Sequence, residues 1–156
     1  MTVRTATEAD LDAIVALSSR ARDRLQELDP EFWRRHPDAD AGQRQWFAIL
    51  LADAGHQVIV RVGTAEHPEE LAGFVIARAM DAPPVYDPGG PVCFVDDFVW
   101  DRVETAEALL AEARRWAADR GCVRLIVVTP AADDERRSLL GASGLHATSE
   151  WWTGPV

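Results

Sequence analysis

VCFVDDFVWDRVETAEALLAEARRWAADRGCVRLIVV, residues 92–128, sets one amphipathic run between two apolar ones. Val92 to Trp100 is rich in β-branched and aromatic residues and reads as a strand. From Val103 to Arg120, the residues Val103, Ala106, Leu109, Leu110, Ala113, Trp116 and Ala117 recur along one face of a helix, which Gly121 ends. CVRLIVVTP, from Cys122 to Pro130, is almost wholly apolar and β-branched, the pattern of a strand buried on both faces of a sheet. A helix joining two strands of one sheet is a crossover and makes those strands parallel, so the fold class is α/β (α+β) and the crossover is where a site is sought.

Inside the first strand stand two adjacent carboxylates, Asp96 and Asp97. An ionised carboxylate in a strand interior is costly unless it is paired, hydrogen-bonded or wet. Strand alternation puts Asp96 with Phe94, Phe98 and Trp100 on one face, and Asp97 with Val95 and Val99 on the other. A partly desolvated carboxylate has a raised pKa and can serve as a general base. The competing reading is structural: Arg78 and Arg124 on neighbouring strands would pair with the two aspartates across the sheet.

Working outward, Thr7 and Asp10 resemble a capping box that starts a first helix, with Leu11, Ile14, Val15, Ser18, Leu25 and Leu28 on one face and Pro30 beyond its end. A second helix is expected over about Ala41 to Ala54, carrying Trp46, Phe47, Leu50 and Leu51. HQVIVRV and LAGFVIARAM read as hairpin strands, DAPPVYDPGGP as irregular, DDERRSLLGASG as a short helix and LHATSEWW as a last strand. Trp151 and Trp152 alternate across that strand, which puts one in the core and the other at an opening or a partner subunit. Phe32 and Trp33 beside Arg34 and Arg35 read either as the wall of an acceptor groove or as a packing hinge.

The 156 residues suit one domain, 1–156, with a substantial core. The net charge is -10, and all 16 basic residues are arginine. No nucleic-acid partner is expected, since phosphate neutralisation needs a basic face, and no Schiff-base lysine can exist here. Cys93 and Cys122 form no CxxC and have no histidine at ligand spacing, which points to reduced thiols and no metal. The scattered His36, His56, His67 and His146 read as solvated. No hydrophobic leader opens the chain and no apolar run approaches the roughly 20 residues that cross a bilayer, so a cytoplasmic protein without a membrane partner is expected.

The N-terminal VRTATEADLDAIVAL, the long hairpin, the strand leading into a helix with ALL, the apolar strand and the late GL together resemble the GNAT superfamily of N-acetyltransferases. The resemblance spans essentially the whole chain. It implies a mixed, mostly antiparallel central sheet of six or so strands flanked by four helices, and acetyl-CoA as co-substrate. That family holds the pyrophosphate on backbone amides of a loop patterned (Q/R)-x-x-G-x-(G/A) between the fourth strand and the next helix. Set by the Leu109 and Leu110 pair, Asp101 stands where the family carries Arg or Gln, Glu104 at the first glycine and Ala106 at the second. The cofactor-binding set carried over is Val99, Trp100, Arg102, Thr105 and Ala106, with Arg102 and Thr105 as compensating donors. For catalysis the resemblance favours Asp96 as base with Asp97 as second choice. The family's tyrosine acid is missing, with Leu140 near its place and Tyr86 the sole tyrosine. The implied reaction is acetyl transfer to an amine of a small molecule or peptide. The alternative is a catalytically degenerate GNAT-fold binding or regulatory module. The early end of the chain implies an open acceptor site or a homodimer that covers it.

Overall fold

A computed structural model describes residues 2–63, 67, 70–82 and 84–155. Strand-forming sequence bounded by turn residues gives β1 (Val3–Thr5), β2 (His56–Val62), β3 (Leu71–Met80), β4 (Val92–Trp100) and β5 (Arg124–Val127). They form one sheet in the order β1-β2-β3-β4-β5. The first three pairings are antiparallel, and β4 and β5 run parallel, as the crossover between them requires.

Among the described residues four α-helices cover the sheet: α1 (Leu11–Leu28), entered through a short 3-10 turn at Glu8–Asp10, α2 (Ala39–Ala52), α3 (Val103–Asp119) and α4 (Asp134–Ala142). Ile14, Leu17, Phe47 and Leu50 of α1 and α2 bury one face with Val58, Val60, Phe74 and Ile76. Leu109, Leu110, Ala113 and Trp116 of α3 bury the other face with Val75, Cys93 and Val95, and Leu139 and Leu140 of α4 complete that core. The entry to α1 is pinned by Asp10, which accepts from the Thr7 amide at 2.8 Å, the Thr7 hydroxyl at 3.0 Å and both terminal nitrogens of Arg4 at 2.7 Å. Those bonds, Arg4 first, hold the Asp10 carboxyl down at about 2.

The far side of the sheet departs from expectation. LHATSEWW has no regular structure, and among the described residues the sheet has five strands, close to the six or so expected. Trp151 and Trp152 are 80% and 89% exposed, so neither is core. Beyond Leu145, which packs on the α3 core, polar residues interrupt the apolar ones and leave no face worth burying. β5 is consequently an edge strand with Ile126 exposed, and not a strand buried on both faces. Both cysteines are free, and burial pushes the Cys93 thiol up to about 11. Among the described residues no group of side chains could hold a metal ion, and no helix is long and apolar enough to cross a membrane.

Candidate functional site

The two aspartates sit on a β-bulge. Val75 pairs with Phe98 and Ala77 with Val95, so Ile76 alone faces both Asp96 and Asp97. The extra residue reverses the side-chain parity of β4. Cys93, Val95, Phe98 and Trp100 all pack on the α3 side, while Val99 joins the α1 and α2 side. Strict alternation, which grouped Val95 with Val99, therefore fails at the aspartates.

The bulge gives the two carboxylates different surroundings. Asp96 is exposed and Asp97 half-buried. Burial first, then the repulsion of Asp96, pushes the Asp97 carboxyl up to about 6, against the pull of Arg22 from α1 and Arg136 from α4. Neither aspartate has a hydrogen bond or ion pair among the described residues. Arg78 stands opposite Phe94 and lies 5.8 Å from its ring, and Arg124 stands opposite Val92. The cross-strand pairing that would have made the aspartates structural is not made.

Next to the bulge, β4 and β5 part. Their ladder ends with the amide of Val128 reaching the Val95 carbonyl at 3.2 Å. Pro130 follows two residues on and has no amide to continue it. The Phe98 carbonyl takes a hydrogen bond from the Arg136 guanidinium instead, at 2.7 Å. That guanidinium lies 4.2 Å from the Trp100 ring centroid. The Thr129 hydroxyl and the Arg136 Nε are buried without a partner. Asp133 accepts from the α4 amide of Arg136 at 3.1 Å and from Arg24 at 3.2 Å. Alongside lies a cleft of about 260 Å³ between α1, α4 and the end of β4, lined by Leu17, Arg20, Arg24, Val99, Trp100 and Arg136 among others.

The N-terminus of α3 flanks the same strand end. Gly73 on β3 allows this: a Cβ there would stand 2.5 Å from the Val99 carbonyl and 2.8 Å from the Thr105 methyl. Thr105 is fully buried and donates its hydroxyl to the exposed Asp101 at 2.6 Å, so that donor is already engaged. Burial opposes ionisation of Asp101, but the bonds from Thr105 and Arg102 keep its carboxyl below the ordinary range. The amides of Thr105 and Ala106 turn to the Arg102 carbonyl. Those of Val103 and Glu104 stay open, as the first amides of a helix do.

Of the residues singled out in sequence, Val99 and Trp100 line the cleft, Asp97 stands on the bulge behind it, and Arg102 is exposed at the helix start. Ala106 is core, Leu140 is buried where a tyrosine would stand, and Tyr86 is exposed. Arg22, Thr129 and Arg136 were not singled out.

In comparison with solved structures, the chain superposes on an apo aminoglycoside antibiotic 6'-N-acetyltransferase from Acinetobacter haemolyticus with a TM-score of 0.73, at 16% identity over 100% of this chain and 99% of that one. It also superposes on a protein from Clostridium acetobutylicum, given as a predicted acetyltransferase with acetyl-CoA, with a TM-score of 0.71 at 18% identity over 99% and 95% of the chains. The chain shares its fold with these acetyltransferases. A tetramutant of a Bacillus halodurans protein superposes with a TM-score of 0.85 at 11% identity over the whole of both chains. The sequence matches no family model and no curated protein.

The parts that a GNAT fold would turn toward an acyl-CoA fit that group here. The open amides of Val103 and Glu104 at a helix N-terminus, with Arg102 beside them, suit a pyrophosphate. The unpaired edge of β4 and the orphaned Thr129 hydroxyl suit an amide-bearing arm. Asp101 and Glu104 add negative charge at the same helix end and weaken the phosphate end of that fit.

Proposed function

We propose that the protein is an acyltransferase that moves an acyl group from an acyl-CoA, acetyl-CoA in the first instance, to an amine of a small molecule or peptide. One observation carries the reading: in a GNAT fold, beside the opening between β4 and β5, stands a half-buried, unpaired carboxylate, Asp97, with its pKa raised to about 6. A base needs that combination, since it must be ionised at neutral pH yet hold a proton better than an ordinary aspartate.

Val103, Glu104 and Arg102 would hold the phosphates, and Val99 and Trp100 would flank the arm. When bound, the acyl-CoA supplies an activated thioester. The work of the chain is to take the amine's proton on Asp97 and to keep that group ionised. In the ligand-free protein Arg22, and after it Arg136, oppose the rise that burial and Asp96 impose. Asp96, exposed beside Asp97, adds negative potential at the mouth, and with a net charge of -10 the protein favours a cationic acceptor. Asp97 thus takes the place that sequence resemblance assigned first to Asp96, because Asp97 is the half-buried carboxylate of the pair and Asp96 is exposed.

Calorimetric titration with acetyl-CoA and with CoA tests the reading. Micromolar binding, about -8 kcal/mol, followed by thiol release with an amine panel that Asp97→Asn abolishes and Asp96→Asn largely spares, is the expected result. Absence of heat at millimolar ligand would instead favour a binding module without acyl transfer, the reading that Asp101 and Glu104 at the α3 N-terminus support.

A further inference from the structure

The opening between β4 and β5 is filled by a side chain of the protein itself. Arg136 projects from the first turn of α4 into the gap that begins where Pro130 ends the ladder, and its side chain is only 16% exposed. On the strand side it bonds to the Phe98 carbonyl at 2.7 Å and stacks on Trp100 at 4.2 Å, with the Phe98 ring at 5.8 Å. Its counter-ion Asp133 forms only a long ion pair, Oδ2 to Nε at 3.6 Å, and that buried Nε has no hydrogen-bond partner. Asp133 meanwhile serves Arg24 and the α4 amide. The result is a buried cation with incomplete compensation, seated on an acceptor that β5 leaves unused. Such a group is readily exchanged for another occupant that satisfies the same carbonyl.

We infer that Arg136 is a built-in plug of the cofactor opening, which an entering acyl-CoA must displace from the Phe98 carbonyl and from Trp100, and that its displacement sets the affinity for that ligand. The inference rests on the acyl-CoA reading above. With Arg136 seated, the edge of β4 beyond Val95 has its free carbonyl capped. With Arg136 withdrawn, the Phe98 carbonyl and the Thr129 hydroxyl line an unobstructed slot next to Asp97. The apparent dissociation constant is the intrinsic one divided by the fraction of molecules with the slot open. Removing the guanidinium removes the competitor and raises that fraction.

The test is calorimetric titration of CoA and acetyl-CoA into wild type, Arg136→Met and Arg136→Gln, each checked by far-UV circular dichroism and thermal melting. Met keeps an unbranched chain against Trp100 without the charge or the donor, and Gln serves if Met fails to fold. The expected result is measurable binding by wild type and binding tighter by roughly tenfold or more in the variants, the order expected from removing one charge-assisted hydrogen bond. Equal affinity in wild type and variants would overturn the plug while leaving the acyl-CoA reading in place. Weaker binding in folded variants would also overturn it, by making Arg136 a ligand contact. No heat from any of the three proteins would overturn both.

Discussion

Replacing Asp97 with asparagine should make the protein more stable and less active at once. The wild-type carboxyl holds its proton up to about pH 6 in the folded protein, against an ordinary value of 3.8. The folded state therefore binds more protons than the unfolded state between these values, and stability falls as pH rises through them. Below about pH 4 Asp97 is neutral in both states and costs nothing. Above about pH 6 the folded protein carries a half-buried charge. At about 1.36 kcal/mol per unit the full shift corresponds to about 3 kcal/mol, and residual access to water brings the expected gain of Asp97→Asn to about 1–3 kcal/mol at pH 8. Urea unfolding of both proteins at several pH values between 4 and 8 isolates the effect, because the titrations of groups that do not interact with Asp97 cancel in the difference. The two should coincide near pH 4 and diverge through pH 6. Equal stabilities at pH 8 would show that Asp97 is a solvated carboxylate and would remove the physical basis for choosing it over Asp96. In an acyl-transfer assay the same ionisation should appear as a rise in kcat/KM between pH 5 and 7 with its inflection near 6, absent from the asparagine variant.

Asp10→Asn breaks the pairing with Arg4 and should lower stability by about 2 kcal/mol at pH 7; since the native carboxyl titrates at about 2, the deficit should persist down to about pH 4 and close below it. Gly73→Ala drives a methyl against a backbone carbonyl and the Thr105 methyl, and thermal melting should show a loss of about 1–3 kcal/mol. The double change Trp151→Ser and Trp152→Ser should alter stability by no more than about 0.5 kcal/mol, because neither ring is buried, while removing the most red-shifted part of the tryptophan emission.

Where the sequence was readable, local physics and tertiary structure agree. The limits of β2, β3 and β4 fall where β-prone residues meet turn residues, and α3 spans its apolar stripe and ends at Asp119, two residues before Gly121. α2 runs Ala39–Ala52, two residues earlier than its apolar pattern alone indicated. LHATSEWW fails as a strand because strand propensity needs a partner and a face to bury, and composition states neither. The bulge was hidden for a related reason: it exists only as a mismatch between two strands, Asp96 and Asp97 against the single residue Ile76. Its sign in the sequence was nevertheless present, as two charges side by side in an apolar run. α4 carries the same kind of sign. Leu139 and Leu140 face the core, so Arg136, three and four residues before them, lies on the inner face, whereas its neighbour Arg137 turns to the Ala131 carbonyl. A charge on an apolar face is a local inconsistency that folding must offset elsewhere, and such inconsistencies concentrate at functional sites. Asp97 and Arg136 are both of this kind, lie close enough to shift one another's pKa, and stand beside the point at which the ladder between β4 and β5 ends. That coincidence, more than any motif, is what ties the reactive carboxylate and its cationic neighbour to a single site.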